Sequence, residues 1–186
     1  MNIFLVSSSV NVCAESLDNL RLNKMILETG QMLCTAYRYW APKYGKSPTF
    51  DGIYKETHVN HPCNVWLRIA PVNFIWGCDL LHALYREKII RTNVAHKTFS
   101  KLKQPLEDLL KAMALGFPEL LMYNEKDIQF SFDCSNQNVG DVFTNYKHCL
   151  IKKWNDDLSV GRQPKFSSPI PEFATFDGLK YSYKEQ

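Results

Sequence analysis

Apolar side chains recur every three or four positions over most of this chain, a period that puts them on one face of a helix rather than one face of a strand. The start is different. Ile3, Phe4, Leu5 and Val6 run together and are closed by Ser7, Ser8 and Ser9, which reads either as a short strand or as an extended arm laid on the core. Helical spacing then holds over residues 12–40. Asn11 is a candidate cap, and Asp18 is placed to cap a fresh start, so a short helix and then a long one are expected. Pro42, Gly45 and Pro48 end that stretch and predict a loop to about residue 57. A second block opens with Asn60 or His61 as cap and Pro62 in the first turn. Ala70-Pro71 interrupts it, and it resumes over 72–91 with Phe74, Ile75, Cys78, Leu81, Leu84 and Tyr85 on one stripe.

Residues 99–115 predict another helix, with Pro105 near a restart and Gly116 just past the end. Ile128, Phe130 and Phe132 alternate weakly, so one short strand is possible there. Val142, Phe143, Tyr146, Cys149, Leu150 and Trp154 fall in register on a last helix over 141–154. After Gly161 prolines and aromatics follow without a period, as an irregular strap would have them. The pattern therefore predicts a mainly α fold: a single domain over 1–186, with a helical core at 1–160 and a C-terminal strap at 161–186.

Composition narrows the class. At 186 residues, 22% charged and 13% aromatic, the chain can bury one sizeable core and is no disordered segment. No apolar run approaches the roughly 18–20 residues of a membrane span, so no membrane partner is expected. The six cysteines contain no CxxC, and Cys13, Cys34, Cys78 and Cys149 sit within helical apolar patterns. They read as reduced, mostly buried thiols of a cytoplasmic protein rather than as disulfides.

The long helix carries the most pointed chemistry. Between Leu20 and Arg38 most of the circumference is apolar or small, with Leu20, Leu27, Gly30 and Cys34 extending the apolar side. Arg21, Lys24, Glu28, Gln31 and Thr35 form the polar seam that remains. Such a seam is either a solvated edge or a site. As a site, a carboxylate flanked by two cations suits general-base work or the stabilisation of a cationic intermediate, and the cations suit phosphate.

His58, Asn60, His61 and Cys63 lie close together in sequence, but their spacing matches no strong zinc pattern, so neither a metal nor a cofactor is expected. They start a helix, or His58 or His61 lines the same cleft as the seam. Arg86, Lys88, Arg91, Lys97, Lys101 and Lys103 face the single acid Glu87 in a local basic run, against a net charge of only +3 for the chain. The run reads as a solvated face or as a phosphate track with Trp66, Trp76 and Tyr85 for stacking. Lys147, Lys152, Lys153, Arg162 and Lys165 form a second basic group. The chain lacks GxGxxG, Walker A and GxSxG motifs.

The run from Leu17 through Arg21, Lys24 and Met25-Ile26-Leu27-Glu28, followed by Thr57-His58-Val59-Asn60-His61-Pro62, resembles the phage pyrimidine-dimer DNA glycosylase (endonuclease V) family and, more closely, small phage proteins with similar runs. The resemblance covers about the first 95 residues. It implies an N-glycosylase acting on a damaged or modified base in DNA, with or without strand-nicking lyase activity, that is, a hydrolase of DNA repair. Glu28 would be the catalytic carboxylate, assisted by His61. Arg21, Lys24, Gln31, His58, Asn60, Arg86, Arg91, Lys97 and Lys101 would hold DNA or a nucleotide. Family members attack the sugar with a free α-amino group, which assigns that role to Met1; the bulky Asn2 argues against its removal and shifts the amine by one residue. Two other readings remain: a non-catalytic nucleic-acid- or nucleotide-binding phage protein that modulates host defence or DNA metabolism, and an interaction protein docking a partner through Phe166, Phe173, Phe176, Tyr181 and Tyr183.

Overall fold

Helix starts follow the cap chemistry. Asp18 Oδ1 accepts from the amides of Leu20 (3.0 Å) and Arg21 (3.1 Å), and Asp141 Oδ1 accepts from the Thr144 amide (2.7 Å). His61, not Asn60, caps its helix, with Nδ1 accepting from the Cys63 amide at 3.3 Å. A computed structural model describes residues 2–116 and 118–184. Among these, α1 (Val10–Glu15), α2 (Asn19–Trp40), α3 (Pro62–Ile69), α4 (Pro71–Thr92), α5 (Lys97–Gly116) and α6 (Val142–Ser159) make the protein mainly α. α1 starts at Val10, ahead of the expected Asn11 cap. Ala70 leaves α3 in an extended conformation, as a residue before proline must, and Pro71 opens α4. Pro105 restarts nothing, because α5 runs through it.

α2 is central and packs on α3, α4 and α5, while α1 packs on α4. The α2–α5 crossing is close at Gly30, where an added Cβ would meet Thr98 Cγ2 at 2.4 Å. α2 is not apolar as far round as expected, since Leu20 and Leu27 are exposed. The N-terminal run is an arm rather than a strand. Ile3 to Val6 are all buried, and the Trp76 indole N–H donates to the Ser8 carbonyl at 2.9 Å.

No strand forms at 128–132. That segment is held by rings instead: Phe130 stacks on Trp66, Phe132 tilts against it, and the Trp66 indole donates to the Gln129 carbonyl at 2.9 Å. The strap is more ordered than its lack of period implied. β1 (Ala174–Phe176) and β2 (Tyr181–Tyr183) pair antiparallel, with Thr175 opposite Ser182. Asn155 on α6 brackets Tyr181, donating to its carbonyl (2.9 Å) and accepting from its amide (2.7 Å). Phe173 and Tyr181 are buried and pack on Trp154, so these aromatics complete the chain's own core and are not presented to a partner.

The six thiols are unpaired. Burial pushes Cys13 up to about 12 and Cys34 up to about 11, which keeps both protonated and unreactive at neutral pH. No helix among the described residues is long and apolar enough to cross a membrane.

Candidate functional site

The polar seam of α2 faces the N-terminal arm and the segment before α3. At its far end Thr35 is buried and its hydroxyl shares bonds with Thr57, accepting from the amide (3.3 Å) and lying 3.4 Å from the carbonyl. At its near end a polar cleft of about 680 Å³ opens between α2, the arm, the 133–136 loop and α6. Arg21, Lys24 and Glu28 line it together with Asn2, His61, Asp133, Cys134, Lys153 and Arg162. Its walls thus mix cations with carboxylates, an environment for a polar and partly anionic ligand.

Glu28 is mostly withdrawn into the wall, its side chain 14% exposed. Its Oε2 accepts from the Asn2 amide at 3.1 Å, and the exposed Lys24 ammonium lies 3.6 Å from Oε1. Asn2 is itself held in place. Its Oδ1 accepts from the Ile3 amide (2.8 Å) and from the buried Tyr146 hydroxyl (3.1 Å). The same hydroxyl accepts from the Cys134 amide at 2.9 Å. Burial drives the Tyr146 pKa far above its ordinary value, so the phenol remains a donor toward Asn2. Burial opposes ionisation of Asp133, yet hydrogen bonds from Ser135 and Asn145 outweigh it and hold that carboxyl below its usual range. The loop thereby offers a fixed negative charge to the cleft.

Arg21 is placed at the cleft but has a structural task. Its guanidinium donates to Asp18 (2.7 Å), Asp157 (2.8 Å) and the Lys153 carbonyl (3.0 Å), tying α2 to α6. The other cations of the lining are Lys24, Lys153 and Arg162, the last lying 2.8 Å from Asp157 at the rim. Gln31 is half-buried on α2, and His58 and Asn60 are exposed; none of the three lines the cleft. His58 adopts a left-handed backbone (φ 47°) and bonds the Thr57 hydroxyl at 2.6 Å. Met1 lies outside the described residues.

The basic run does not converge on the cleft either: Arg86, Arg91, Lys97 and Lys101 are absent from its lining. Arg86 is exposed and bonds the Asn11 side chain, Lys97 is exposed in the first turn of α5, and Lys101 lies over the Tyr54 ring. Trp66 and Trp76 are fully buried, and half-buried Tyr85 stacks on Phe99 at 3.9 Å, which leaves none of them to take a base.

Arg91 is the clearest correction. Its side chain is only 1% exposed; it pairs with Glu87 at 2.6 Å and donates to the carbonyls of Leu17 (2.6 Å) and Glu15 (3.0 Å). It holds the end of α1 against α4. Arg91→Ala leaves the buried Glu87 with the Ser168 hydroxyl at 3.2 Å and no cation, and is expected to cost about 3 kcal/mol of stability. Urea unfolding reads this directly; a loss below about 1 kcal/mol would show the network to be dispensable.

Asn2, Asp133 and Cys134 were missed in the sequence because single residues on extended or loop segments carry no period. A weak signal existed: Asp133, Ser135 and Asn136 form a turn-prone cluster just ahead of α6. A second, more apolar cleft of about 600 Å³ lies between the strap and α1, with Glu87 at its base. It holds no comparable grouping of hydrogen-bonded titratable side chains. The structure also regroups the histidine–cysteine segment: the ligand atoms of His61, Cys63 and Cys134 all lie within 4.8 Å of one another, without His58. No family model, curated protein or solved structure matches this chain.

Proposed function

We propose that this protein cleaves the N-glycosidic bond of a damaged or modified base in DNA, with Glu28 as the catalytic carboxylate. The observation that carries the reading is the setting of Glu28: a carboxylate in a polar cleft, held from behind by the Asn2 amide and faced by the Lys24 ammonium. Loss of the base leaves an oxocarbenium-like sugar, and a fixed negative charge beside it lowers the barrier. The same oxygen can take the proton of an attacking water. His61 lines the same cleft as Glu28 and is the ring carried over as its assistant.

A cleft of about 680 Å³ is of the size that takes a single nucleotide turned out of the stack. Lys24, Lys153 and Arg162 are then placed for the flanking phosphates. The test is release of free base from duplexes carrying a panel of pyrimidine dimers, alkylated, deaminated and hydroxymethylated bases. Abasic product from at least one duplex is expected, and borohydride trapping reports whether a covalent lyase step accompanies it. No abasic product and no trapped adduct across the panel would end this reading.

A further inference from the structure

We infer that His61, Cys63 and Cys134 form a site for one zinc-class divalent ion, at the wall of the cleft and with one coordination position open to it. Their ligand atoms already lie within 4.8 Å of one another. A tetrahedral ion with sulfur and nitrogen ligands needs separations of about 3.5–3.8 Å, so closing the site takes a movement of about 1 Å.

Two of the three ligands stand on segments with room to move. Cys63 is fixed on the second residue of α3, but Cys134 stands on a loop and His61 ends the segment before the helix. The donor set, two thiolates and an imidazole, selects a borderline-soft ion over magnesium or calcium. His61 brings one ring nitrogen into the group while its Nδ1 accepts from the Cys63 amide at 3.3 Å.

Cys63 is wholly buried beneath the cleft wall, and an ion bound there displaces the two thiol protons to solvent. Around them the Tyr146 hydroxyl accepts from the Cys134 amide, an outer contact that fixes that ligand's backbone, while the Cys63 thiol gives up its 4.0 Å bond to Asn2 Oδ1 when it loses its proton.

His61 and Cys134 line the cleft while Cys63 is buried, so an ion held by the three sits at the cleft wall and leaves its fourth position to a ligand from the cleft. A water there would share the cleft with Glu28. The inference does not depend on the base-excision reading, because ion uptake is read without DNA.

The test uses the full chain stripped with a chelator and titrated with Zn²⁺ against a chromophoric competitor, then with Co²⁺. One ion per chain is expected, with thiolate-to-cobalt charge-transfer absorption and a zinc-dependent rise in melting temperature. Loss of an outer-shell partner costs 10–100-fold in affinity, so Cys134→Ser, which loses a ligand, is expected to weaken zinc by at least about 100-fold. His61→Gln should do the same, whereas Cys149→Ser, outside the group, should bind as the parent does. Circular dichroism without metal establishes that each variant is folded. Absence of stoichiometric uptake by the folded parent chain overturns the site, and so does unchanged uptake in folded Cys134→Ser.

Discussion

Replacing Asp18 with alanine is expected to cost about 3–5 kcal/mol of stability, a large share of the roughly 5–15 kcal/mol a domain of this kind has. Asp18 is fully buried and has three tasks. Its Oδ1 caps α2 through the Leu20 and Arg21 amides. Its Oδ2 receives the Arg21 guanidinium at 2.7 Å and the Trp154 indole N–H at 2.9 Å. Alanine removes the cap, worth about 1 kcal/mol, and leaves a buried indole donor unsatisfied for about 1–3 kcal/mol more. It also leaves Arg21 with Asp157 as its remaining carboxylate partner. Asp18→Asn keeps the cap oxygen but puts an NH2 donor where Oδ2 accepted from Arg21 and Trp154, so it should recover only the cap's share, about 1 kcal/mol over alanine, in a urea midpoint series. If the two variants unfold together and near the parent, the triple role is wrong.

The second large effect concerns chemistry. Glu28→Gln keeps the shape of the side chain and an oxygen for the Asn2 amide, but removes the charge and the base. If Glu28 handles the proton and the developing cation, base release should fall by about 10²–10⁴-fold. On the proposed reading DNA affinity should hold or rise slightly, since a negative charge leaves a cleft proposed to receive phosphate. Single-turnover base release and equilibrium binding at one fixed salt concentration separate the two quantities. Equal activity in both proteins would remove Glu28 from the reaction. Loss of binding without loss of single-turnover rate would instead favour a nucleic-acid-binding role.

Much of the local architecture was legible because local rules decide it. Asp18, His61-Pro62 and Asp141 mark helix starts through side-chain oxygens, a ring nitrogen and proline's fixed φ, none of which needs a distant partner. The seam on α2 was legible for the same reason, since helical geometry alone puts Arg21, Lys24 and Glu28 on one strip. What that strip faces is another matter. Arg21 and Arg91 look alike in sequence to any phosphate-binding arginine, and they differ from one only because Asp157 and Glu87 meet them in space. Tryptophans 66 and 76 were candidates for stacking until the 128–132 segment covered them.

The hairpin in the strap was hidden by its length. Strands of three residues give too few alternations to be told from coil, and Asn155 on α6 fixes their place. Cys134 was hidden by distance, because no spacing rule ties a loop thiol to His61 and Cys63 more than seventy residues earlier.

By itself, then, the sequence determined the mainly helical class, the starts of α2, α3 and α6 and the placement of Arg21, Lys24 and Glu28 on one strip of the central helix. Each follows from the helical repeat or from caps that span four residues or fewer. Only the tertiary structure decided that Asn2 backs Glu28, that Arg21 belongs to α6 as much as to the cleft, and that His61, Cys63 and Cys134 meet. Those pairings depend on how the arm, the 133–136 loop and α6 pack against α2. Packing is set by the burial of the whole core at once, which no local pattern encodes.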